Sequence, residues 1–122
     1  MALDEIRIED LLIRTIIGIN GDERHDRQDV LLNLTLFVDT RAAGASDDIA
    51  DAPVNYRTLK KRVIAAVEGS SFHLLERLAA EVAAVCLEEA GVEKVRVSAA
   101  KPGALRFARS VAVVIERGRE DA

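Results

Sequence analysis

The stretch VLLNLTLFV, residues 30–38, decides the fold. Side chains alternate between the two faces of a strand, so Val30, Leu32, Leu34, Leu36 and Val38 share one face. The opposite face carries Leu31, Asn33, Thr35 and Phe37, which is too apolar to stand fully in water. A strand of this kind belongs in a sheet that is covered on both sides.

Upstream, Ile6, Ile8 and then residues 11–19 alternate roughly and are rich in β-branched side chains. That predicts a long strand interrupted near Asp10 and Leu11, followed by a polar loop that opens at Asn20 and Gly21 and reaches about residue 28. Downstream, residues 42–53 are a connection rich in Asp, Gly and Ala. Asn55 is placed to cap a helix over 56–68, with Leu59, Val63, Ala66 and Val67 as its apolar stripe. Gly69, Ser70 and Ser71 break that pattern, and a second helix is expected over 73–90, closed by Gly91. Two further strands, near 94–100 and 107–116, are joined around Pro102 and Gly103. The order β-β-α-α-β-β predicts an α+β fold, one antiparallel sheet with both helices on one face. Something must cover the other face, and a second copy of the chain is the expected cover, giving a homo-oligomer.

Composition narrows the function classes. The 122 residues show no linker, repeat or low-complexity stretch, so one domain spanning 1–122 is expected. Hydrophobic residues make up 49% of the chain, ample for a core, and that core is aliphatic, with three Phe, one Tyr and no Trp. Lys and Arg number 17 against 21 Asp and Glu, a net charge of −4, and no basic stripe occurs. Neither a nucleic-acid partner nor an anionic membrane is therefore expected. Cys86 alone cannot form an intramolecular disulfide, and acidic residues at Asp4, Glu5, Glu9 and Asp10 do not suit a secretory signal. A soluble cytoplasmic protein is the expectation.

Three ionisable residues sit where the apolar pattern does not call for them. On the second helix Leu74, Leu75, Leu78, Val82, Val85 and Cys86 form the expected buried stripe, while Arg77, Glu81 and Glu88 gather on the far side. Glu76 falls in the sector of Ala80, Ala83 and Leu87. It is either a boundary carboxylate or an acceptor for the paired N–H donors of a flat ligand. Lys101 continues the face of Val95, Val97 and Ala99. Its ammonium either snorkels to water or, if desolvated, becomes suited to proton transfer. Glu23 lies in the charged loop, where an ordinary solvated carboxylate is the simplest reading. His25, His73 and Cys86 lack metal-ligand spacing, the seven Gly are scattered, and no His is singled out for a Ser-His-Asp arrangement. Tyr56, the only tyrosine, stands at a helix start where packing and function are equally open.

Several short stretches carry a resemblance. RTIIGI (14–19), Glu23 with Gln28 five residues on in RQDV, SDDIAD (46–51), VNYRT (54–58), SFHLLERL (71–78) and KPGALRFARSV (101–111) follow one another in a specific order and spacing. In these the chain resembles the dihydroneopterin aldolase family, including its dihydroneopterin triphosphate epimerase branch, over nearly its whole length. The resemblance implies the tunnelling fold, in which four subunits close their sheets into a barrel and two such rings stack, with active sites between subunits. It also implies roles for particular residues. Glu76 with the backbone of Leu75 looks like the pterin anchor, and Lys101 like the general acid–base. Glu23 and Tyr56 look like the groups that orient the substrate side chain and the catalytic water, Tyr56 coming from the adjacent subunit. Val54, in the same stretch as Tyr56, joins the substrate contacts.

The implied reaction is the retro-aldol cleavage of 7,8-dihydroneopterin, a step of folate biosynthesis, to 6-hydroxymethyl-7,8-dihydropterin and glycolaldehyde. The dihydropterin ring already holds an imine beside the side chain, which accepts the electrons of the broken carbon–carbon bond. Neither a lysine Schiff base nor a metal or other cofactor is then called for. RTIIGI, RQDV, NYRT and ALRFARSV resemble the epimerase branch more closely, and KPGA the aldolases. Aldolase is the expectation and 2′-epimerase the alternative. A non-catalytic pterin-binding paralogue comes third, since Glu23, Tyr56, Glu76 and Lys101 are all intact.

Overall fold

The computed structural model describes residues 2–121. Strand β1 (Asp4–Thr15) pairs antiparallel with β2 (Gln28–Val38), β2 with β3 (Lys94–Pro102), and β3 with β4 (Ser110–Gly118). The strands thus lie in chain order, with helices α1 (Arg41–Ser46), α2 (Tyr56–Glu68) and α3 (Leu75–Leu87) inserted between β2 and β3. No helix among the described residues is long and apolar enough to cross a membrane.

The alternation in 30–38 has the consequence expected of it. Val30, Leu32, Leu34, Leu36 and Val38 are all buried and share one core cluster with Leu59, Val63 and Val67 of α2 and Leu78, Val82 and Cys86 of α3. Burying a side chain of this size stabilises by about 1.5–3 kcal/mol. The two long helices cover this face alone. On the other face, register sets Leu12, Leu31, Ala100 and Ala112 in one row across the four strands, and Leu12 is 57% exposed. Two rows further on, the same face is charged, with Arg7, Thr35, Arg96 and Glu116 side by side. One half of the open face is therefore aliphatic and the other ionic.

The expected break in β1 is a bulge. Pairing shifts between Ile8 and Leu11, Asp10 adopts φ 55, and its N–H donates to Asn33 Oδ1 (2.9 Å). That bond explains a polar residue in an otherwise apolar strand. The strand stops at Thr15, not at residue 19. Thr15 is fully buried and its hydroxyl donates to the Val67 carbonyl (2.7 Å), and three residues on Gly18 adopts φ 132 and turns the chain away.

Helix α2 matches its expected bounds, with Asn55 Oδ1 accepting from the Thr58 N–H (3.2 Å). Helix α3 is shorter than the expected 73–90. Leu74 is its N-cap in an extended conformation, which takes it off the helical wheel and leaves it 52% exposed instead of in the buried stripe. Gly91 is not the cap, since the helix ends at Leu87 with Glu88 as its C-cap. A Cβ on Gly91 would overlap the Pro53 carbonyl, so this glycine permits a close chain approach. The 42–53 connection holds α1 and a 3-10 turn (Ile49–Asp51), both too short for a periodic signal. Strand β4 begins at Ser110 because Phe107, fully exposed at φ 66, belongs to the preceding turn.

Candidate active site

A cleft of about 320 Å³ opens where the end of β1, the start of α3 and the β3–β4 edge meet, a volume suited to a small ligand. Ile17, Ile19, Leu74, Val111 and Val113 make its apolar walls, and Glu23, Glu76 and Lys101 its ionic groups. Lys101 stands on the face of Val95, Val97 and Ala99, opposite Val111 in the β3–β4 register. Its side chain is only 13% exposed, and Nζ donates to Glu23 Oε2 at 2.7 Å. It is thus neither a snorkelled lysine nor a bare amine in apolar surroundings. It forms one half of a partly desolvated ion pair.

Glu23 is not an ordinary loop carboxylate. It sits in a 3-10 turn (Asp22–Arg24) that folds its side chain back over Gly18. The Lys101 hydrogen bond holds its pKa down to about 2, helped by the Asn20 N–H and the Gln28 amide. Those two donate to the carboxylate at 3.2 Å each. Gln28 also donates to the Ile17 carbonyl (2.8 Å), so one amide ties the carboxylate to the strand end. A Cβ on Gly18 would fall on the Glu23 carboxylate, so only glycine leaves room for it there.

Glu76 lies in the first turn of α3, exposed, with no hydrogen-bond or ion-pair partner among the described residues. Its companions divide, Ala83 and Leu87 being buried and Ala80 exposed, so it marks the boundary of the packed face. Leu74 supplies no side-chain cap, and the first N–H groups of a helix have no partner within it. The site therefore offers a free carboxylate beside backbone donors of Leu75 and Glu76. Ile17, Ile19, Leu74, Val111 and Val113 line the same cleft as this carboxylate and the Glu23–Lys101 pair.

Of the six residues singled out from sequence, four come together here: Glu23, Leu75, Glu76 and Lys101. Tyr56 and Val54 do not. They line a separate cleft with Ile49, Asn55 and Arg57, where Tyr56 is 56% exposed. The sequence reading missed Gly18, although an isolated glycine in a strand pattern is a sign of close approach. It quoted Gln28 only as part of a motif, since nothing in its spacing reveals the bond to Glu23.

The family model described as dihydroneopterin aldolase (FolB) matches residues 6–116. The chain is 43% identical to a dihydroneopterin triphosphate 2′-epimerase of Pseudomonas aeruginosa over 93% of its own length and 92% of that protein's. It is 38% identical to the dihydroneopterin aldolase of Escherichia coli over 95% of its length and 94% of that enzyme's. It is also 39% identical to the folic acid synthesis protein FOL1 of Dictyostelium discoideum over 94% of its own length, yet spans only 17% of that longer protein. Among solved structures, E. coli dihydroneopterin aldolase in complex with neopterin superposes with a TM-score of 0.89 at 38% identity, over 95% of this chain and 100% of that one. A Burkholderia thailendensis dihydroneopterin aldolase bound to guanine gives 0.81 at 27% identity, over 97% and 93%. The fold is accordingly the tunnelling fold of those enzymes, and the chain belongs to the dihydroneopterin aldolase family.

Proposed function

We propose that this chain is a dihydroneopterin aldolase acting in folate biosynthesis, with Glu23, Leu75, Glu76 and Lys101 as one subunit's share of the site. The observation that carries the reading is the Lys101–Glu23 ion pair at 2.7 Å in a largely apolar cleft that the Glu76 carboxylate also lines. Glu76 would accept from the ring N–H and amino group of the pyrimidinone edge, and backbone donors at the start of α3 would meet its carbonyl. Neopterin and guanine, bound by two of the related enzymes, share that edge.

The ring then runs toward Lys101. Cleavage needs the 2′-hydroxyl proton removed and a proton delivered at the ring imine nitrogen. As the C1′–C2′ bond breaks, its electrons form the C6–C1′ double bond and those of the imine move to N5. Glycolaldehyde departs, C1′ takes a proton, and N5 returns one. An ammonium with one N–H on Glu23 keeps two more for N5 and a water. Glu23, held as an anion, accepts from the side-chain hydroxyls. Positioned proton transfer of this kind contributes about 10²–10⁴-fold.

Tyr56 and Val54 enter the reading through a second copy. The open aliphatic row of the sheet and the exposed Tyr56 cleft support a homotetrameric or homo-octameric ring in which a neighbour's Tyr56 closes the site, with Val54, mostly buried in its own chain's core, at the cleft's edge beside it. The single unpaired, buried Cys86 fits a reducing cytoplasm. The higher identity to the P. aeruginosa epimerase favours a second reading, 2′-epimerisation, in which the released glycolaldehyde re-adds to the opposite face. Chromatography of reactions with 7,8-dihydroneopterin and with its triphosphate tests both. The lyase gives 6-hydroxymethyl-7,8-dihydropterin with one glycolaldehyde for each, an epimerase gives the 2′-epimer without accumulating glycolaldehyde, and unchanged substrate would refute catalysis.

A further inference from the structure

The two ends of the cleft come from segments far apart in sequence. Glu23 rides on the turn after Gly18, and Leu75 and Glu76 open α3. Besides the Gly18 N–H bond to the Phe72 carbonyl (3.2 Å), the Arg24 side chain spans directly from the Glu23 turn to the segment leading into α3. The half-buried Arg24 guanidinium donates to the Gly18 carbonyl (3.1 Å) from the glutamate side. It also donates to the carbonyls of Phe72 (3.1 Å) and Ser71 (2.6 Å) from the α3 side. A planar fork can hold three carbonyls in one geometry, which a point-charge ammonium cannot. Among the described residues Arg24 has no carboxylate partner, and all three of its hydrogen bonds go to backbone carbonyls.

We propose that Arg24 is a positioning residue for the reaction, fixing the turn that carries Glu23 at a set distance from the ring-holding start of α3. This rests on the functional reading above. Leu75 is buried in the core cluster, so the ring anchor keeps its place without Arg24. The Glu23 turn contributes no buried hydrophobic residue and depends on Arg24 and Gln28 for its placement. Loss of Arg24 therefore loosens the reacting end and spares the ring end.

The test compares two ligands and turnover in wild type, Arg24→Ala and Arg24→Lys. Guanine reports the ring end alone, and neopterin reports the ring plus the side chain that Glu23 orients. For Arg24→Ala, calorimetry should give guanine affinity within about twofold of wild type and neopterin affinity about tenfold lower. Turnover of dihydroneopterin should fall roughly 10- to 100-fold, since a displacement near 1 Å costs on that order. Arg24→Lys should fall between, and its full recovery would overturn the role of the fork. Equal losses for both ligands would make Arg24 a general structural residue, and no loss for either would also overturn the proposal. Arg24→Gln carries the same comparison if the alanine variant does not fold. Wild-type protein that bound neither ligand would refute the functional reading itself, a result distinct from any of these.

Discussion

Gly18→Ala separates the site's chemistry from its stability. Gly18 has φ 132, a region that side chains rarely adopt, and a Cβ there would fall on the Glu23 carboxylate. The two consequences differ in kind. Backbone strain of this sort costs about 1–3 kcal/mol. Unfolding entropy near 2.1 cal/mol/K per residue gives roughly 0.26 kcal/mol/K for a chain this long, so the melting temperature should fall by ~4–12 °C. The overlap adds to that cost, because the carboxylate has to swing out of a partly buried ion pair that itself contributes stability. Swinging away breaks the bonds to Lys101, Asn20 and Gln28. Turnover should drop at least ~100-fold, the scale of one acid–base contribution. Calorimetric melting and steady-state kinetics on Gly18→Ala, Glu23→Ala and the double variant resolve the two. In the Glu23→Ala background, Gly18→Ala should lower the melting temperature further and hardly change turnover. A Gly18→Ala enzyme within about threefold of wild-type turnover would refute the claim that glycine is there to make room for Glu23.

Glu76→Ala should weaken neopterin and guanine binding ~30- to 1000-fold, for a lost charge-assisted double hydrogen bond of about 2–4 kcal/mol, and leave the melting temperature nearly unchanged. Unaltered affinity by calorimetry would remove Glu76 as anchor. Co-expressed Tyr56→Ala and Lys101→Ala chains, each inactive alone, should recover about a quarter of wild-type activity if neighbouring copies share sites, and none if each chain is complete. Folding lowers the Glu23 pKa from 4.5 to about 2, so between those values the unfolded chain binds more protons. The stability this group contributes is whole above about pH 4.5 and fades as pH falls toward about 2. Removing the largest cause, in Lys101→Ala, should shift the Glu23 carboxyl titration upward by NMR, and an unchanged titration would deny the ion pair.

The strand pattern and the cap of α2 were legible because each depends on a few neighbouring residues, whereas the Gly91 cap expected for α3 was not formed. The alternation in 30–38 and the Asn55 cap are of this kind, and both stand in the structure as expected. Helix α1 and the turn before Ser110 were not, since six residues around Gly44 carry no period and Phe107 at φ 66 breaks the usual preference. Lys101 was legible as an anomaly on an apolar face, but its partner was not. Glu23 lies 78 residues away and reaches it only through the backbone turn at Gly18. Arg24 stayed hidden for the same reason, its partners being backbone carbonyls whose positions sequence does not encode locally. Tyr56 and Val54 emerged from resemblance, and one chain alone keeps them away from the cleft.

In the proposed mechanism Lys101, paired with Glu23, moves the protons while Glu76 holds the ring. Single-turnover kinetics with dihydroneopterin, run beside equilibrium neopterin binding, tests it on Lys101→Ala and Lys101→Arg. Both variants should bind within a few-fold of wild type, because Glu76 and not Lys101 holds the ring. The chemical step should slow by about 10²–10⁴-fold in each, since a guanidinium keeps its charge but hardly releases a proton at neutral pH. Near-normal chemistry in Lys101→Arg would make Lys101 an electrostatic support and contradict its part in proton transfer.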